Sequence, residues 1–245
     1  MASINTNYGA SIALQNLNKT NSELERTQNR INTGMKVSSA KDSGAIYSIA
    51  TSQRAAAASQ DAVRAGLQRT QSITDVALAA GDTITAALEE MKGLAVSIAG
   101  STGAAQTSYL AEYNALGTEI ASAITGASFD GVNSLTALGS NAAITAVNTG
   151  SITAANATTA NVDAAIAATT STLSTLGTQS TSLGRQISFV NKLQDALEAG
   201  VGNLVDADLA KESAKLTALQ TKQQLGVQAL SIANSSSQTL LGLFR

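Results

Sequence analysis

The chain has 245 residues, of which 44% are hydrophobic, 3% aromatic and 13% charged, and its net charge is −2. It contains no Cys, His, Pro or Trp, which excludes disulfides, the usual thiolate and imidazole metal sites, and cysteine or Ser–His nucleophiles. Because proline is the strongest helix breaker, its absence permits helix almost anywhere. Without a basic block or an 18-residue apolar run, we expect neither nucleic-acid binding nor membrane insertion. Residues 1–8 also lack the pattern of a secretory signal peptide.

The first predicted helix has a narrow apolar stripe with polar residues set into it. Its positions step by four and three residues, which is the spacing of a coiled-coil seam. The stripe consists of Ala10, Leu14, Leu17, Asn21, Leu24, Gln28 and Ile31. Gly34 is predicted to end the helix. Because the stripe is one residue wide, it cannot close a core alone, and we expect the helix to need a partner.

Two further helices are predicted after a Gly-, Ser- and Lys-rich connector at 33–42. The second helix runs from about residue 45 to residue 98, and a turn signal follows at 99–103. Its clearest stripe consists of Ile84, Leu88, Met91, Ala95 and Ile98. The third helix has Leu110, Tyr113, Gly117, Ile120 and Ile124 in phase.

The middle of the chain has a different composition from both ends. Residues 131–184 contain one charged residue, Asp163, and no aromatic residue. Asp130-Gly131 is a turn dipeptide, and Ala143–Val147 and Ser151–Thr153 favour β structure. We therefore predict a small hairpin or irregular segment, with disorder as the alternative. The high Ser/Thr content fits either a linker or a displayed, glycosylated surface.

The strongest periodicity occurs near the end of the chain. Ten positions from 173 to 204 alternate steps of three and four residues over more than four heptads. They are Leu173, Leu176, Ser180, Leu183, Ile187, Val190, Gln194, Leu197, Val201 and Leu204. The helix that carries them is predicted to end near Asp206, and a last helix follows with Leu209, Leu216, Leu219 and Leu230. The chain ends on the apolar residues Leu240, Leu241, Leu243 and Phe244.

These patterns predict a mainly α fold. Long helices from both chain ends pair in an elongated antiparallel bundle or coiled coil, and the small hairpin or irregular segment lies at the outer tip. Because narrow stripes with small residues occur in every long helix, each helix has capacity for more neighbours than one chain supplies.

Five segments match, in order, those of one known family. They are Ser3–Asn7, Arg30–Asp42, Phe129–Val132, Ala207–Glu212 and Leu240–Arg245. Together they resemble the bacterial flagellins, and the resemblance covers about 1–135 and 180–245.

The resemblance implies a structural subunit of the flagellar filament, with a hook–filament junction protein as the alternative. It implies an inner coiled coil from 1–40 and 206–245, an outer helical core from 41–135 and 173–205, and a short surface segment at 136–172. Inner packing is expected from Leu14, Leu17, Leu24, Ile31, Leu216, Leu219, Leu230, Leu240, Leu241, Leu243 and Phe244. Outer-core packing is expected from Ile84, Leu88, Met91, Ile98, Leu173, Leu176, Leu183, Ile187, Val190, Leu197, Val201 and Leu204.

The resemblance also implies the partners and the location. The chain would polymerise with itself and with sister flagellins, and would meet the filament cap and the hook-junction proteins. An export chaperone would bind about Leu204–Arg245 before secretion through the flagellar channel. The destination is extracellular and needs no cleaved signal peptide.

A receptor-recognition region is expected to be altered in this chain. In flagellins that the innate-immune receptor detects, a basic patch with an arginine precedes a Leu-Ala-Val sequence. Here Leu94 opens that sequence, and the residues before it include Glu89, Glu90 and Lys92. Glu90 takes the place of the arginine, so we expect weak or no activation of the receptor.

An enzyme is the third functional class, with a Ser–Lys pair as its remaining dyad. Lys41, Asp42, Asp206 and Asp208 are candidate catalytic or metal-binding groups, but they stand at helix boundaries where Asp commonly caps. We therefore expect no catalytic site, no metal and no cofactor.

Overall fold

The computed structural model describes residues 7–243, with side chains described through residue 235. The helices and strands are α1 (Tyr8–Thr33), α2 (Gly44–Ala99), α3 (Gly103–Gly126), β1 (Ser128–Phe129), β2 (Val132–Asn133), α4 (Thr136–Gly139), α5 (Ala142–Asn148), α6 (Thr159–Val205) and α7 (Leu209–Leu243). This architecture confirms the mainly α prediction. Within the described residues, no helix is both long and apolar enough to cross a membrane.

The chain forms two compact units. The terminal unit contains the described residues through Ala58 and from Gln194 onward, and the central unit contains Ser59–Leu193. Both divisions fall inside long helices, α2 and α6, so each of these helices contributes to both units. The sequence-based prediction instead divides the inner and outer parts at the connectors, near residues 40 and 205.

In the terminal unit, α1 and α7 pair in antiparallel orientation, and each helix has a defined start. The side chain of Asn7 accepts a hydrogen bond from the Ala10 amide at 3.0 Å and caps α1. Asp208 caps α7 by accepting from the Lys211 amide at 3.1 Å. Gly34 ends α1 in the left-handed conformation, with φ of 70°, as the sequence indicated.

The two connectors of the terminal unit are joined by backbone hydrogen bonds. Met35 and Asp206 form an antiparallel bridge. Around them, the Lys36 amide donates to the Val205 carbonyl at 2.7 Å, and the Ala207 amide donates to the Gly34 carbonyl at 2.9 Å. A small apolar cluster of Ala50, Val201 and Val205 packs with Met35, Ile46 and Leu204. This cluster explains why the first turns of α2 and the last turns of α6 belong to the terminal unit.

The central unit has an apolar core to which α2, α3, α6 and the segment between α3 and α6 all contribute. The predicted α2 stripe is buried along its whole length, since Ile84, Leu88, Met91, Ala95 and Ile98 are all at most 1% exposed. Tyr113, Ile120 and Ile124 of α3 join the same cluster.

A two-stranded hairpin follows α3, at the Asp130-Gly131 turn. Phe129 pairs with Val132 in antiparallel register. Asp130 and Gly131 have φ of 50° and 74°, which suits the type of turn that favours Asp-Gly. The Asp130 carboxylate also pairs with the Arg69 guanidinium at 2.6 Å. The hairpin therefore precedes the 136–172 segment instead of lying within it.

The β structure predicted for Ala143–Val147 is wrong, because these residues lie in helix α5. Asn141 caps the helix by accepting from the Ala143 amide at 2.9 Å. Ile144 and Val147, three residues apart, share its buried face. The predicted strand at Ser151–Thr153 is absent too, and the residue between them, Ile152, is buried.

The 136–172 segment, expected to be a short surface segment, also contributes residues to the apolar core. Buried residues of this segment are Leu138, Ile144, Val147, Ile152, Ala157, Val162, Ala165 and Thr169. Helix α6 begins at Thr159, well before the stripe that starts at position 173. Within its Thr-rich first turns, the buried Thr169 hydroxyl donates to the Ala165 carbonyl at 2.9 Å, which satisfies its polar group inside the helix.

Candidate assembly interface

The seam between α1 and α7 is built from small and polar side chains. The α1 seam is Ala10, Ala13, Leu17, Thr20, Leu24, Thr27 and Ile31, and the α7 seam is Glu212, Leu216, Leu219, Gln223, Gly226, Leu230 and Ala233. Both keep the alternation of three and four residues. Leu219 is the one large apolar side chain of α1 or α7 that is buried within the described residues. The seam is therefore thin and contributes modest apolar burial.

The phase predicted for α1 is wrong at alternate positions. Leu14 is 49% exposed and Gln28 is exposed, so both lie off the seam. Thr20 and Thr27 are buried in their place. The Thr20 hydroxyl bonds the Asn16 carbonyl at 2.9 Å, which satisfies its polar group inside the helix. Weighting leucine above threonine produced the error.

Polar contacts at several levels fix the register of the α1–α7 hairpin. Asn7 donates from its side-chain amide to the Ala233 carbonyl at 2.8 Å. Near the middle, the Gln223 amide donates to the Asn21 side-chain oxygen at 2.8 Å. Gly226 faces Leu17 so closely that an added Cβ would lie 3.2 Å from a Leu17 methyl carbon. A polar layer of this kind specifies register at some expense of stability.

An ion pair stands at the connector end of the hairpin. The Arg30 guanidinium donates to the Glu212 carboxylate at 3.0 Å, and the two side chains are 27% and 13% exposed. Arg30 Nε and the second Glu212 oxygen are buried without a hydrogen-bond partner. Because these two atoms lose water without replacement, the pair adds little net stability although it fixes orientation.

Large apolar side chains of the hairpin face outward. Those exposed on α1 and α7 are Tyr8, Ile12, Leu14, Leu209, Leu225, Val227 and Ile232. Tyr8 and Ile232 are 70% and 69% exposed. Scattered exposed leucines are ordinary, but seven large apolar residues on one thin hairpin mark a surface that another chain can cover.

Comparison with known proteins gives matches at both ends of the chain. Residues 4–140 match the bacterial flagellin N-terminal helical region, and residues 159–244 match the bacterial flagellin C-terminal helical region. The chain belongs to the bacterial flagellin family. It is a structural subunit of the extracellular flagellar filament, which assembles from many copies.

Individual flagellins are similar over nearly their whole length. The chain is 51% identical to flagellin FljK of Caulobacter vibrioides, covering 99% of this chain and 98% of that protein. It is 52% identical to flagellin FljN of the same species, with the same coverage. A Brucella melitensis flagellin is 37% identical and is covered completely. These relatives give no support to the hook-junction alternative.

The structure places the expected flagellin packing residues in two groups. Leu17, Leu24, Ile31, Leu216, Leu219 and Leu230 lie on the α1–α7 seam, and Leu14 lies outside it. Phe244 and the side chains of Leu240, Leu241 and Leu243 lie outside what the structure describes. All the outer-core positions from Ile84 to Leu204 are buried or half-buried. Leu197, Val201 and Leu204 belong to the terminal unit instead of the central unit.

The four residues of the altered receptor region have different surroundings. Glu89 and Glu90 are exposed on α2. The Lys92 ammonium pairs with the Asp163 carboxylate at 2.6 Å, and Leu94 packs partly against the central core. Two exposed carboxylates therefore stand next to each other on this part of α2.

The acidic residues at the connectors have structural partners. One oxygen of Asp42 accepts hydrogen bonds from the amides and hydroxyls of Ser38 and Ser39 at 3.1–3.2 Å. The Ser38 amide above all lowers the pKa of the Asp42 carboxyl. Asp208 caps α7. Among the described residues, no group of three or more acidic side chains is placed to hold a metal ion.

Sequence reasoning missed the polar residues that join the two ends of the chain. The α1 stripe predicts Asn21 as a polar seam residue, but its partner Gln223 follows only from the register of the two helices. Arg30 and Glu212 each fall inside a family-like segment, yet nothing in either segment indicates the other. Opposite charges at the two helix ends nearest the connectors were the available signal.

Proposed function

We propose that this flagellin subunit polymerises mainly through the outward face of the α1–α7 hairpin. The supporting observation is the set of seven exposed large apolar side chains on α1 and α7. Burying such a residue contributes about 1.5–3 kcal/mol when it is fully covered. Neighbouring copies therefore stabilise the hairpin more than its own seam does.

The hairpin is only marginally stable in the free monomer. Its seam holds Thr20, Thr27 and the Asn21–Gln223 layer where a stable coiled coil would have leucine or isoleucine. Local opening of the hairpin thus needs little free energy, and assembly supplies the missing packing. A monomer with this property stays soluble and passes through a narrow channel before it docks.

Truncation tests the role of the hairpin. Deletion of residues 1–30 or 206–245 is expected to abolish filaments in electron micrographs while circular dichroism shows that a helical core remains. Native tubes from either truncation would refute the proposal. In the free full-length chain, amides of α1 and α7 should exchange faster than those of α3, whereas equal protection would contradict marginal stability.

The same surface is also proposed to bind the other protein partners of the subunit. An export chaperone covers about Leu204–Arg245 before secretion through the flagellar channel, because the exposed apolar residues of α7 need masking in the cell. The filament cap and the hook-junction proteins then meet the same hairpin at the two filament ends. A pull-down in which a chain lacking 206–245 binds the chaperone fully would exclude this.

Recognition by the innate-immune flagellin receptor is weak for this subunit. Exposed Glu90 offers only acceptors and a negative charge where the receptor would meet an arginine. A reversed charge at an interface costs several kcal/mol as an order of magnitude. In a reporter-cell titration, Glu90→Arg should raise activation and the neighbouring Glu89→Arg should not. Strong activation by the wild-type monomer would contradict the assignment.

A further inference from the structure

A groove runs along one side of the hairpin, in the half farther from the connectors. Its volume is about 420 Å³, and its lining includes Ala13, Leu17, Leu225, Gly226 and Ala229. The small side chains of Ala13 and Ala229 leave space along the groove, whereas Gly226 allows Leu17 to approach α7 closely. The groove therefore results from the residues that α1 and α7 place along it.

Two lysines stand in this groove without an acidic partner. Lys19 of α1 and Lys222 of α7 both line it. They are the only charged residues in 7–22 and 216–235, so this half of the hairpin is purely cationic. Within the described residues, neither ammonium has a carboxylate at ion-pair distance.

Covering this half of the hairpin raises an electrostatic problem. Ile12, Leu225 and Ile232 are exposed there and become buried when another chain packs on them. The same chain would remove water from Lys19 and Lys222, and buried ammonium groups are strongly destabilising unless they are paired. The covering surface must therefore supply carboxylates.

Helix α1 of a second copy can supply two carboxylates that have no ion pair in the described part of their own chain. Glu23 and Glu25 have no ion pair within the described residues, whereas Glu212 is paired with Arg30. Glu25 is exposed and Glu23 half-buried. An internal contact between Lys19 and Glu23, one helical turn apart, is an exposed pair of little strength, so Glu23 stays available.

We propose that the groove docks a second copy of this chain, whose Glu23 and Glu25 neutralise Lys19 and Lys222. This rests on the proposed role of the hairpin in polymerisation and specifies how adjacent hairpins are aligned. The two carboxylates lie four and six residues from Lys19 along α1. The proposal therefore requires that a neighbouring hairpin be shifted along the helix axis until its Glu23 and Glu25 reach Lys19 and Lys222.

Charge reversal on each side of the contact tests the proposal. The variant Lys19→Glu/Lys222→Glu and the variant Glu23→Lys/Glu25→Lys should each polymerise poorly, with the critical concentration raised at least about tenfold. An equimolar mixture should form filaments, because each groove then meets a side chain of opposite charge. The quadruple variant that combines all four changes should polymerise alone for the same reason.

The controls separate electrostatics from folding and from the wider role of the hairpin. Lys19→Arg/Lys222→Arg keeps both charges and should polymerise as the wild type does. Circular dichroism of every monomer should be unchanged, since the lysines are exposed. Normal polymerisation of either double reversal, or no rescue by the mixture and the quadruple variant, overturns the pairing. If truncations still abolish filaments in that case, the hairpin role stands without it.

A chaperone is the competing occupant of the groove. A Lys19→Glu/Lys222→Glu chain that loses chaperone binding in a pull-down but polymerises normally would assign the groove to the chaperone and refute the contact between copies.

Discussion

The central unit buries or half-buries most of its large apolar side chains within one chain, whereas the described part of the α1–α7 hairpin exposes more than half of its own. Leu88 and Met91 of α2 are fully buried, while Ile12, Leu225 and Ile232 of the hairpin are more than half exposed. Both regions are long helices with heptad-like spacing. The difference shows that periodicity specifies a helix face, but the size of the seam residues decides whether one chain can satisfy that face.

Replacing one leucine in each region should give the largest measurable difference between the two regions. Leu88→Ala should lower the free energy of unfolding of the monomer by about 2–5 kcal/mol, because it leaves a cavity in a closed core. Leu14→Ala, in the hairpin, should change it by less than about 0.5 kcal/mol, because Leu14 is already half exposed. Urea denaturation of the monomers measures both. Equal losses would mean that the hairpin is as well packed as the core.

Glycine substitutions show how tightly the central unit is packed. A Cβ on Gly117 would lie 2.7 Å from the Val147 carbonyl oxygen, so Gly117→Ala should destabilise the monomer by about 1–3 kcal/mol. Gly93 is a helical glycine with nothing within 4 Å of an added Cβ. Gly93→Ala should therefore stabilise by about 0.5–1 kcal/mol. Thermal melting compares the two, and the opposite order would place α3 and α5 farther apart than described.

The buried hydroxyl of Tyr113 gives a smaller effect with a pH signature. This oxygen has no partner, and burial raises the pKa of Tyr113 to about 12. Because the phenol ionises more easily once unfolded, stability is complete below pH 10 and falls towards pH 12. Tyr113→Phe should remove this loss and add about 1 kcal/mol at neutral pH.

Urea titrations at pH 7, 10 and 11 of wild type and Tyr113→Phe provide the data. Tyr109 is exposed, so Tyr109→Phe serves as the control and should keep the wild-type dependence of the free energy of unfolding on pH. If Tyr113→Phe also kept that dependence, another group would cause the loss of stability at alkaline pH.

The smallest expected effect concerns the connector of the terminal unit. The hydrogen bonds from Ser38 and Ser39 hold the pKa of the Asp42 carboxyl below its ordinary value of 3.8. The ionised Asp42 carboxyl therefore stabilises the connector above pH 3.8, and this stabilisation is lost as pH falls through the lowered pKa of the folded state. Protection of the Ser38 and Ser39 amides should thus fall in acid, and should be pH-independent in Asp42→Asn. Flat protection in wild type would contradict this.

Much of the fold could be predicted because strong local signals specify it. The 84–98 and 173–204 stripes, Gly34 and Asp130-Gly131 all correspond to buried faces or turns in the structure. Local signals were weaker in the middle of the chain. Ser and Thr content suggested exposure at 136–172, although Ile144 and Val147 are buried by contacts with distant residues.

The interface was harder to predict because its polar contacts join residues about 200 positions apart. The register of Asn21 with Gln223, and of Arg30 with Glu212, follows from how the connectors at Met35 and Asp206 meet. No local pattern carries that information. The phase error at Leu14 had the same origin, since the α7 seam decides which face of α1 is covered.

The most direct test of the account compares assembly with monomer stability in one variant. Ile12→Ser/Ile232→Ser removes two exposed apolar side chains from the hairpin. Sedimentation should show at least about a tenfold rise in critical concentration, from the loss of a few kcal/mol of burial between copies. The melting temperature of the monomer should stay within error. Normal polymerisation, or a monomer destabilised as much as Leu88→Ala, would contradict the claim that this face serves assembly.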